Sequence, residues 1–179
     1  MGGLQALWLG ERLRNEEVRF DQVYSSTAIR TRQTANIVCE KIGYPLEHIL
    51  YSEKLLELDQ GDWQGQPRDI IYTPETVAKI NKDNWNFTPP NGESQRDVEE
   101  RMYSWVEENL LANHDQTQQT TVGIFTHGLA IKCLFRKIMG SNPARTYKIV
   151  LDNTSITKIS YSQTGWHLVK VNDAAHLEF

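Results

Sequence analysis

The chain has 179 residues, of which 39% are hydrophobic and 23% charged, and its formal net charge is −4. These values fit one globular domain over residues 1–179. They argue against the basic stripe of a nucleic-acid-binding protein and the polybasic segment of a protein bound to anionic membranes. The apolar runs are too short to span a membrane and no signal pattern opens the chain, so we expect a soluble, cytoplasmic protein.

The first part of the chain predicts alternating helices and strands. A helix is expected over residues 4–15 and a short strand over residues 20–25. A second helix follows and ends at Gly43, a residue type common at helix C-termini. The apolar stripe of the first helix consists of Leu4, Leu7 and Trp8. The inward face of the second helix consists of Ala35, Ile37, Val38 and Ile42.

The middle of the chain is harder to assign. Residues 48–58 indicate a short strand and a loop, and the polar stretch 66–88 indicates an excursion over the surface. Ser94 and Asp97 have the spacing of a capping box, which begins a helix. One face of that helix is apolar and consists of Val98, Met102, Trp105, Val106 and Leu110.

The last part predicts a strand, a helix and a hairpin. Residues 121–126 form a compact apolar run, typical of a parallel strand that is buried on both faces. A helix follows and ends at Gly140, and strands at 155–161 and 166–171 flank a turn. This order predicts an α/β three-layer sandwich, with a mostly parallel sheet, helices on both faces and an antiparallel edge.

His127 stands between the predicted strand 121–126 and the helix after it. In open α/β sheets ligands bind outside the carboxyl ends of the strands, and a helix N-terminus attracts an anion. Gly128, the next residue, would let the backbone approach a ligand closely. The alternative is a structural histidine with satisfied hydrogen bonds.

Arg30 lies in the first turn of the second helix, where a cation is unfavourable for the helix dipole. A bound phosphate would offset this penalty through a bidentate contact with the guanidinium. The alternative is a surface arginine that points away from any ligand.

Glu57 is flanked by leucines that could desolvate its carboxyl and raise its pKa, as suits a proton donor. Asp59 and Asp62 are competing carboxylates in the same segment. The alternative is a turn with solvated acidic side chains.

Motifs around these three residues follow one another in a familiar order over nearly the whole chain. They are Ser25-Ser26, Arg30-Thr31-Arg32-Gln33-Thr34-Ala35, Leu56-Glu57, Gly61-Asp62-Trp63-Gln64-Gly65, Gly92-Glu93-Ser94, Thr126-His127-Gly128, Asn153-Thr154-Ser155-Ile156, Val171-Asn172-Asp173 and His176-Leu177. With these motifs the chain resembles the histidine phosphatase superfamily, in its phosphoglycerate mutase-like branch.

The resemblance implies a catalytic set of His127, Glu57 and Arg30. His127 would stabilise the transferring phosphoryl group, Arg30 would hold the phosphate, and Glu57 would act as general acid and base. Gly128 and Leu129, together with Arg30, would bind a small phosphorylated metabolite. No metal or other cofactor is implied, and Cys39 and Cys133 lack the spacing of a zinc site or a disulfide framework.

One motif of the resembling family does not occur: the 179 residues contain no Arg-His-Gly, the tripeptide that carries the nucleophile on the family's first strand. His48, His114, His167 and His176 do not have that context; we expect His114 at a helix C-terminus and His167 in the hairpin. Three explanations compete: an N-terminal truncation, a natural pseudo-enzyme, or a strand supplied by another chain. We favour truncation, because the other three site residues are present.

The leading hypothesis is therefore that the native, longer protein is a phosphatase. The 179 residues by themselves are expected to be inactive. The alternatives are phosphoglycerate mutase-type phosphotransfer and a non-catalytic protein that binds a phosphate ligand. We expect Arg30 and His127 to lie close together, with Glu57 at the rim. We also expect the strands before them to pair directly, or another segment to lie between them, because unpaired strand groups are costly. An exposed edge would allow a homo-oligomer.

Overall fold

The computed structural model describes residues 2–112 and 118–177. The helices are α1 (Gly2–Asn15), α2 (Ile29–Ile42), α3 (Arg68–Ile71), α4 (Pro74–Lys82), α5 (Gln95–Val106) and α6 (Gly128–Met139). The strands are β1 (Gln22–Ser26), β2 (Ile49–Ser52), β3 (Val122–Phe125), β4 (Ile156–Ser162) and β5 (Gly165–Asp173). A π-helical turn follows α5 at Glu107–Leu111, and short 3₁₀ turns lie at Leu46–His48, Glu53–Leu55, Gly61–Trp63, Pro143–Lys148 and Ala175–Leu177.

These elements belong to two compact units. The described part of the first unit is 2–56, 118–128 and 150–177, and that of the second is 57–112 and 129–149. The first unit holds α1, α2 and all five strands. The second holds α3, α4, α5 and the whole of α6 beyond its first residue. No helix in the described ranges is long and apolar enough to cross a membrane.

A parallel sheet with the strand order β2-β1-β3 forms the centre of the first unit. Val23 of β1 pairs with Ile49 of β2 on one side and with Gly123 of β3 on the other. The expected direct pairing of the strands that precede Arg30 and His127 is therefore confirmed. Residues 122, 124 and 125 are only partly buried, and within the described chain β3 is an outer strand of this sheet.

The hairpin forms a second sheet. Strands β4 and β5 pair antiparallel from Ile156 and Asp173 to Ser162 and Gly165, with irregular register near residue 158. The predicted α/β class, with mostly parallel pairing and an antiparallel part, is confirmed. In the described residues the antiparallel strands are a sheet of their own and do not extend β2-β1-β3.

Helix α1 packs on α2 with a different face from the predicted one. Leu4 and Leu7 are exposed, whereas the residues that the helix buries are Ala6, Leu9, Gly10 and Leu13. The reason is close approach: a Cβ on Gly10 would lie 2.7 Å from Lys41 Cβ. Leu9 and Leu13 then reach Val38 of α2 and form one apolar cluster with it.

The second unit contains two helices in a stretch that the sequence left unassigned, beyond predicting an excursion over the surface. Helices α3 and α4 occupy much of the stretch 66–88. Thr73 caps α4 by accepting a hydrogen bond from the amide of Thr76, and Pro74 is its first residue, a favourable start that the polar composition concealed. The capping box of Ser94 and Asp97 at α5 is confirmed, with both reciprocal bonds present.

Candidate active site

The sheet brings two chain segments together at the carboxyl ends of its strands. Ser25 of β1 pairs with Phe125 of β3 in parallel register, so both strands end on the same side of the sheet. Ser26 is the last residue of β1, and His127 follows β3 by two positions. Ser26 is fully buried and His127 is 7% exposed, so the imidazole is buried next to the end of β1.

Arg30 and His127 are in direct contact. The Nη2 atom of Arg30 lies 2.9 Å from Nδ1 of His127. A guanidinium has only donors, so Nδ1 must accept this hydrogen bond and the neutral ring carries its proton on Nε2. Arg30 itself is exposed, and the contact therefore joins a buried imidazole to a cation that solvent and small anions can reach.

Two hydroxyl groups at the other ring nitrogen were not assigned a role from the sequence. Ser26 Oγ lies 2.9 Å and Thr31 Oγ1 3.2 Å from Nε2 of His127. Both residues belong to motifs of the resembling family, and Thr31 lies on the buried face of α2. Their position at a strand end and directly after Arg30 was the available signal.

Glu57 lies in the second unit, where its carboxylate binds the first turn of α6. Oε2 accepts from the amide of Leu129 at 3.2 Å, and Oε1 accepts from the amides of Ala130 at 3.1 Å and Leu58 at 3.0 Å. The sequence had suggested leucine side chains as the main surroundings of this group. The structure adds three backbone amides to these surroundings, and a carboxylate complements the positive end of a helix.

A partly buried ion pair holds the segment around Glu57. Arg101 donates from Nε and Nη2 to the two carboxylate oxygens of Glu93, at 2.8 and 2.9 Å. Nη2 also donates to the carbonyl oxygen of Glu57 at 3.0 Å. These two residues position Glu57 through its backbone, a role that sequence reasoning did not find because Arg101 lies 44 positions away.

The other predicted residues have simpler surroundings. The Leu129 amide is bonded to Glu57, and a Cβ on Gly128 would have open space around it, so no contact in the described chain requires glycine there. His167 lies in β5 as expected, and His114 lies outside the described residues. Burial raises the pKa of Cys39 to about 11 and of Cys133 to about 12, so neither thiol suits nucleophilic chemistry.

A comparison with known families identifies the family of the chain. The profile of the histidine phosphatase superfamily (branch 1) matches residues 1–174. The chain belongs to this superfamily.

The chain is similar to individual proteins that have different names. A phosphoglycerate mutase of Schizosaccharomyces pombe is 29% identical over 133 residues, which are 73% of this chain and 62% of that enzyme. The chain thus spans less than two thirds of this relative. The structure of Bacillus stearothermophilus YhfR superposes with a TM-score of 0.82 at 27% identity, covering 98% of this chain and 84% of that one.

A second solved structure shares the fold. The mycobacterial glucosyl-3-phosphoglycerate phosphatase solved with inorganic phosphate superposes with a TM-score of 0.79 at 22% identity, over 98% of this chain and 87% of that one.

Within the residues that our structure describes, no group of three or more His, Cys, Asp and Glu side chains could hold a metal ion.

Proposed function

We propose that this chain belongs to a phosphomonoester hydrolase that acts on small phosphorylated metabolites through a phosphohistidine. The observation that carries the proposal is the Arg30–His127 contact of 2.9 Å at the carboxyl ends of β1 and β3. Two nitrogen-rich side chains at such an edge suit an anion with several oxygens.

Each residue has a proposed role. Arg30 binds two oxygens of the phosphoryl group, and His127 stabilises the charge that develops during its transfer. Glu57 protonates the leaving alkoxide and then activates water. The proposed nucleophile is a histidine in an Arg-His-Gly motif, which the 179 residues do not contain, so we expect no turnover from the chain by itself.

Two alternatives are of interest. The name of the S. pombe relative supports phosphotransfer as in a mutase. Against this, the stretch that would enclose a bisphosphate contains only the four-residue α3 and the nine-residue α4, which favours an open pocket and hydrolysis. Absence of Arg-His-Gly favours a non-catalytic phosphate-binding protein of the same fold.

Calorimetric titration with inorganic phosphate tests the site. Replacement of Arg30 by Ala should weaken phosphate binding about 10- to 100-fold, since a charge-assisted hydrogen bond contributes about 1.5–3 kcal/mol. Arg32→Ala is the matched control, because Arg32 lies over the ring of Tyr51, 4.8 Å from its centroid. Equal phosphate affinity of wild type and Arg30→Ala would contradict the proposed site.

A turnover assay separates the hydrolase from the binding protein. The purified chain should hydrolyse p-nitrophenyl phosphate no faster than His127→Ala, because loss of a nucleophile costs orders of magnitude. A form extended by a strand with Arg-His-Gly should gain activity, and a panel of phosphorylated metabolites then identifies the substrate. Turnover by the unextended chain that His127→Ala abolishes would contradict this prediction.

A further inference from the structure

Both ring nitrogens of His127 have hydrogen-bonding partners. Arg30 donates to Nδ1 at 2.9 Å, which leaves the proton of the neutral ring on Nε2. That proton points to the hydroxyl oxygens of Ser26 and Thr31, at 2.9 and 3.2 Å. Both hydroxyl residues are at least nine-tenths buried, with exposures of 0% and 6%.

Ser26 is suited to accept that proton. Its Oγ also accepts a hydrogen bond from the amide of Ala28 at 3.3 Å. A hydroxyl oxygen has two lone pairs, so one bond from Ala28 and one from Nε2–H use its full accepting capacity. The opposite tautomer would set a proton on Nδ1 against the guanidinium, where two donors would face each other.

We propose that Ser26 and Thr31 are positioning residues: they hold His127 with Nε2–H inward and Nδ1 toward Arg30, so that an anion at Arg30 recruits His127 only with uptake of a proton. This inference rests on the proposed anion site. A neutral Nδ1 is an acceptor and repels an oxygen of the anion. Once protonated, Nδ1 becomes a second donor next to the guanidinium.

The contact with Arg30 opposes protonation of His127 until the anion arrives. On α2, the guanidinium of Arg30 is a like charge in contact with the ring. On β1, Ser26 contributes only a neutral hydroxyl. A dianion at Arg30 reverses the local balance, and proton uptake follows from that change.

Side-chain ¹⁵N NMR tests the positioning without any ligand. At pH 8 the His127 signals, identified by their loss in His127→Gln, should show a protonated Nε2 and an unprotonated Nδ1. Thr31→Val, which removes only the hydroxyl, and Ser26→Ala should shift this pattern toward a tautomer mixture. Thr31→Ser should restore it. Ser25→Ala is the control, since Ser25 is equally buried but its Oγ donates to the carbonyl of Ser26.

Calorimetry with sulfate tests the proton uptake, because sulfate does not titrate near neutral pH. Titrations in buffers of different ionisation enthalpy at pH 7.5 should give uptake of up to one proton per sulfate bound. His127→Gln should abolish the uptake, and His48→Gln should leave it unchanged. Ser26→Ala and Thr31→Val should weaken sulfate binding about 3- to 10-fold, the loss expected for one hydrogen bond.

The outcomes separate the two proposals. A protonated Nδ1 in the wild type, an unchanged tautomer in Ser26→Ala and Thr31→Val, or sulfate binding without proton uptake would each overturn the positioning role. Sulfate that fails to bind a wild type with the expected tautomer would contradict the proposed function. It would leave the hydroxyl positioning of His127 supported by the NMR result.

Discussion

His127 and His176 belong to the same unit but have contrasting surroundings. His127 has hydrogen-bonding partners at both ring nitrogens. His176 contacts Thr154 Oγ1 through Nε2 at 3.1 Å, whereas its Nδ1 is buried and has no hydrogen-bond partner among the described residues. Burial, with a contribution from the charge of Arg12, lowers the pKa of His176 below its ordinary value of 6.5.

This lowered pKa makes stability depend on pH. Between the ordinary pKa and the lowered one, His176 binds more protons in the unfolded chain than in the folded chain. The contribution of His176 to the free energy of unfolding is therefore complete above about pH 6.5 and is lost as the pH falls. We expect the urea midpoint of unfolding to fall between pH 7.5 and 5. His176→Gln should reduce this dependence, while His167→Gln, at an exposed position of β5, should not. The same pH slope in His176→Gln and wild type would show that another group is responsible.

At the scale of elements, the contact between α1 and α2 depends on a glycine, which has no side chain to separate the two helices. Gly10 approaches α2 so closely that an added Cβ would meet Lys41 Cβ at 2.7 Å and Lys41 Cγ at 2.9 Å. The two helices would have to separate or Lys41 would have to move, and Leu9 and Leu13 would lose contact with Val38.

Gly10→Ala should therefore destabilise the protein although alanine is the better helix former. We expect a decrease of about 1–3 kcal/mol in the free energy of unfolding, the usual cost of overpacking. Gly3→Ala is the matched control, because the same helix leaves open space at Gly3, and it should be neutral or stabilising by up to about 1 kcal/mol. Chemical denaturation measures both, and a Gly10→Ala variant as stable as wild type would refute the packing argument.

Local signals predicted the elements better than the faces they bury. The capping box at Ser94 and the glycine after α2 have a purely local origin, and both were predicted. The buried face of α1 was predicted wrongly, because large residues suggested burial at Leu4 and Leu7 while close packing selected Ala6 and Gly10. Helix α4 was missed although Thr73-Pro74 is a local start signal.

The candidate site likewise contains features that the sequence predicted and features that it did not. The juxtaposition of Arg30 and His127 could be predicted because parallel strands end on one side of a sheet. The hydroxyls of Ser26 and Thr31 and the ion pair of Arg101 with Glu93 could not, since their partners are set by packing between distant segments.

At the scale of the whole molecule, the sheet of the first unit ends in a strand with one partner. Strand β3 pairs with β1, and within the described ranges no other strand pairs with it. Its residues Val122 and Ile124 are partly exposed. The outer edge of an apolar strand favours pairing with a second chain.

We therefore expect reversible self-association that grows with concentration. Sedimentation velocity over a range of concentrations from about 5 to 200 µM should show a shift from monomer to dimer if the dimer is as weak as small edge contacts usually are. Val122→Lys should suppress the shift, because a charge on an edge strand opposes pairing. Glu47→Lys, at an exposed position outside β3, is the control for added charge. A wild-type monomer across this range would contradict the prediction.

The pairing of β1 with β3 also has a consequence during synthesis of the chain. Asp21 and Thr121, which bond each other next to these strands, are 100 positions apart, and much of the second unit lies between them in the sequence. At about 5–20 residues per second, a ribosome needs roughly 5–20 s to make this segment. During that interval β1 can pair with β2 but not with β3, so a chaperone would have to protect the edge of β1 that later binds β3.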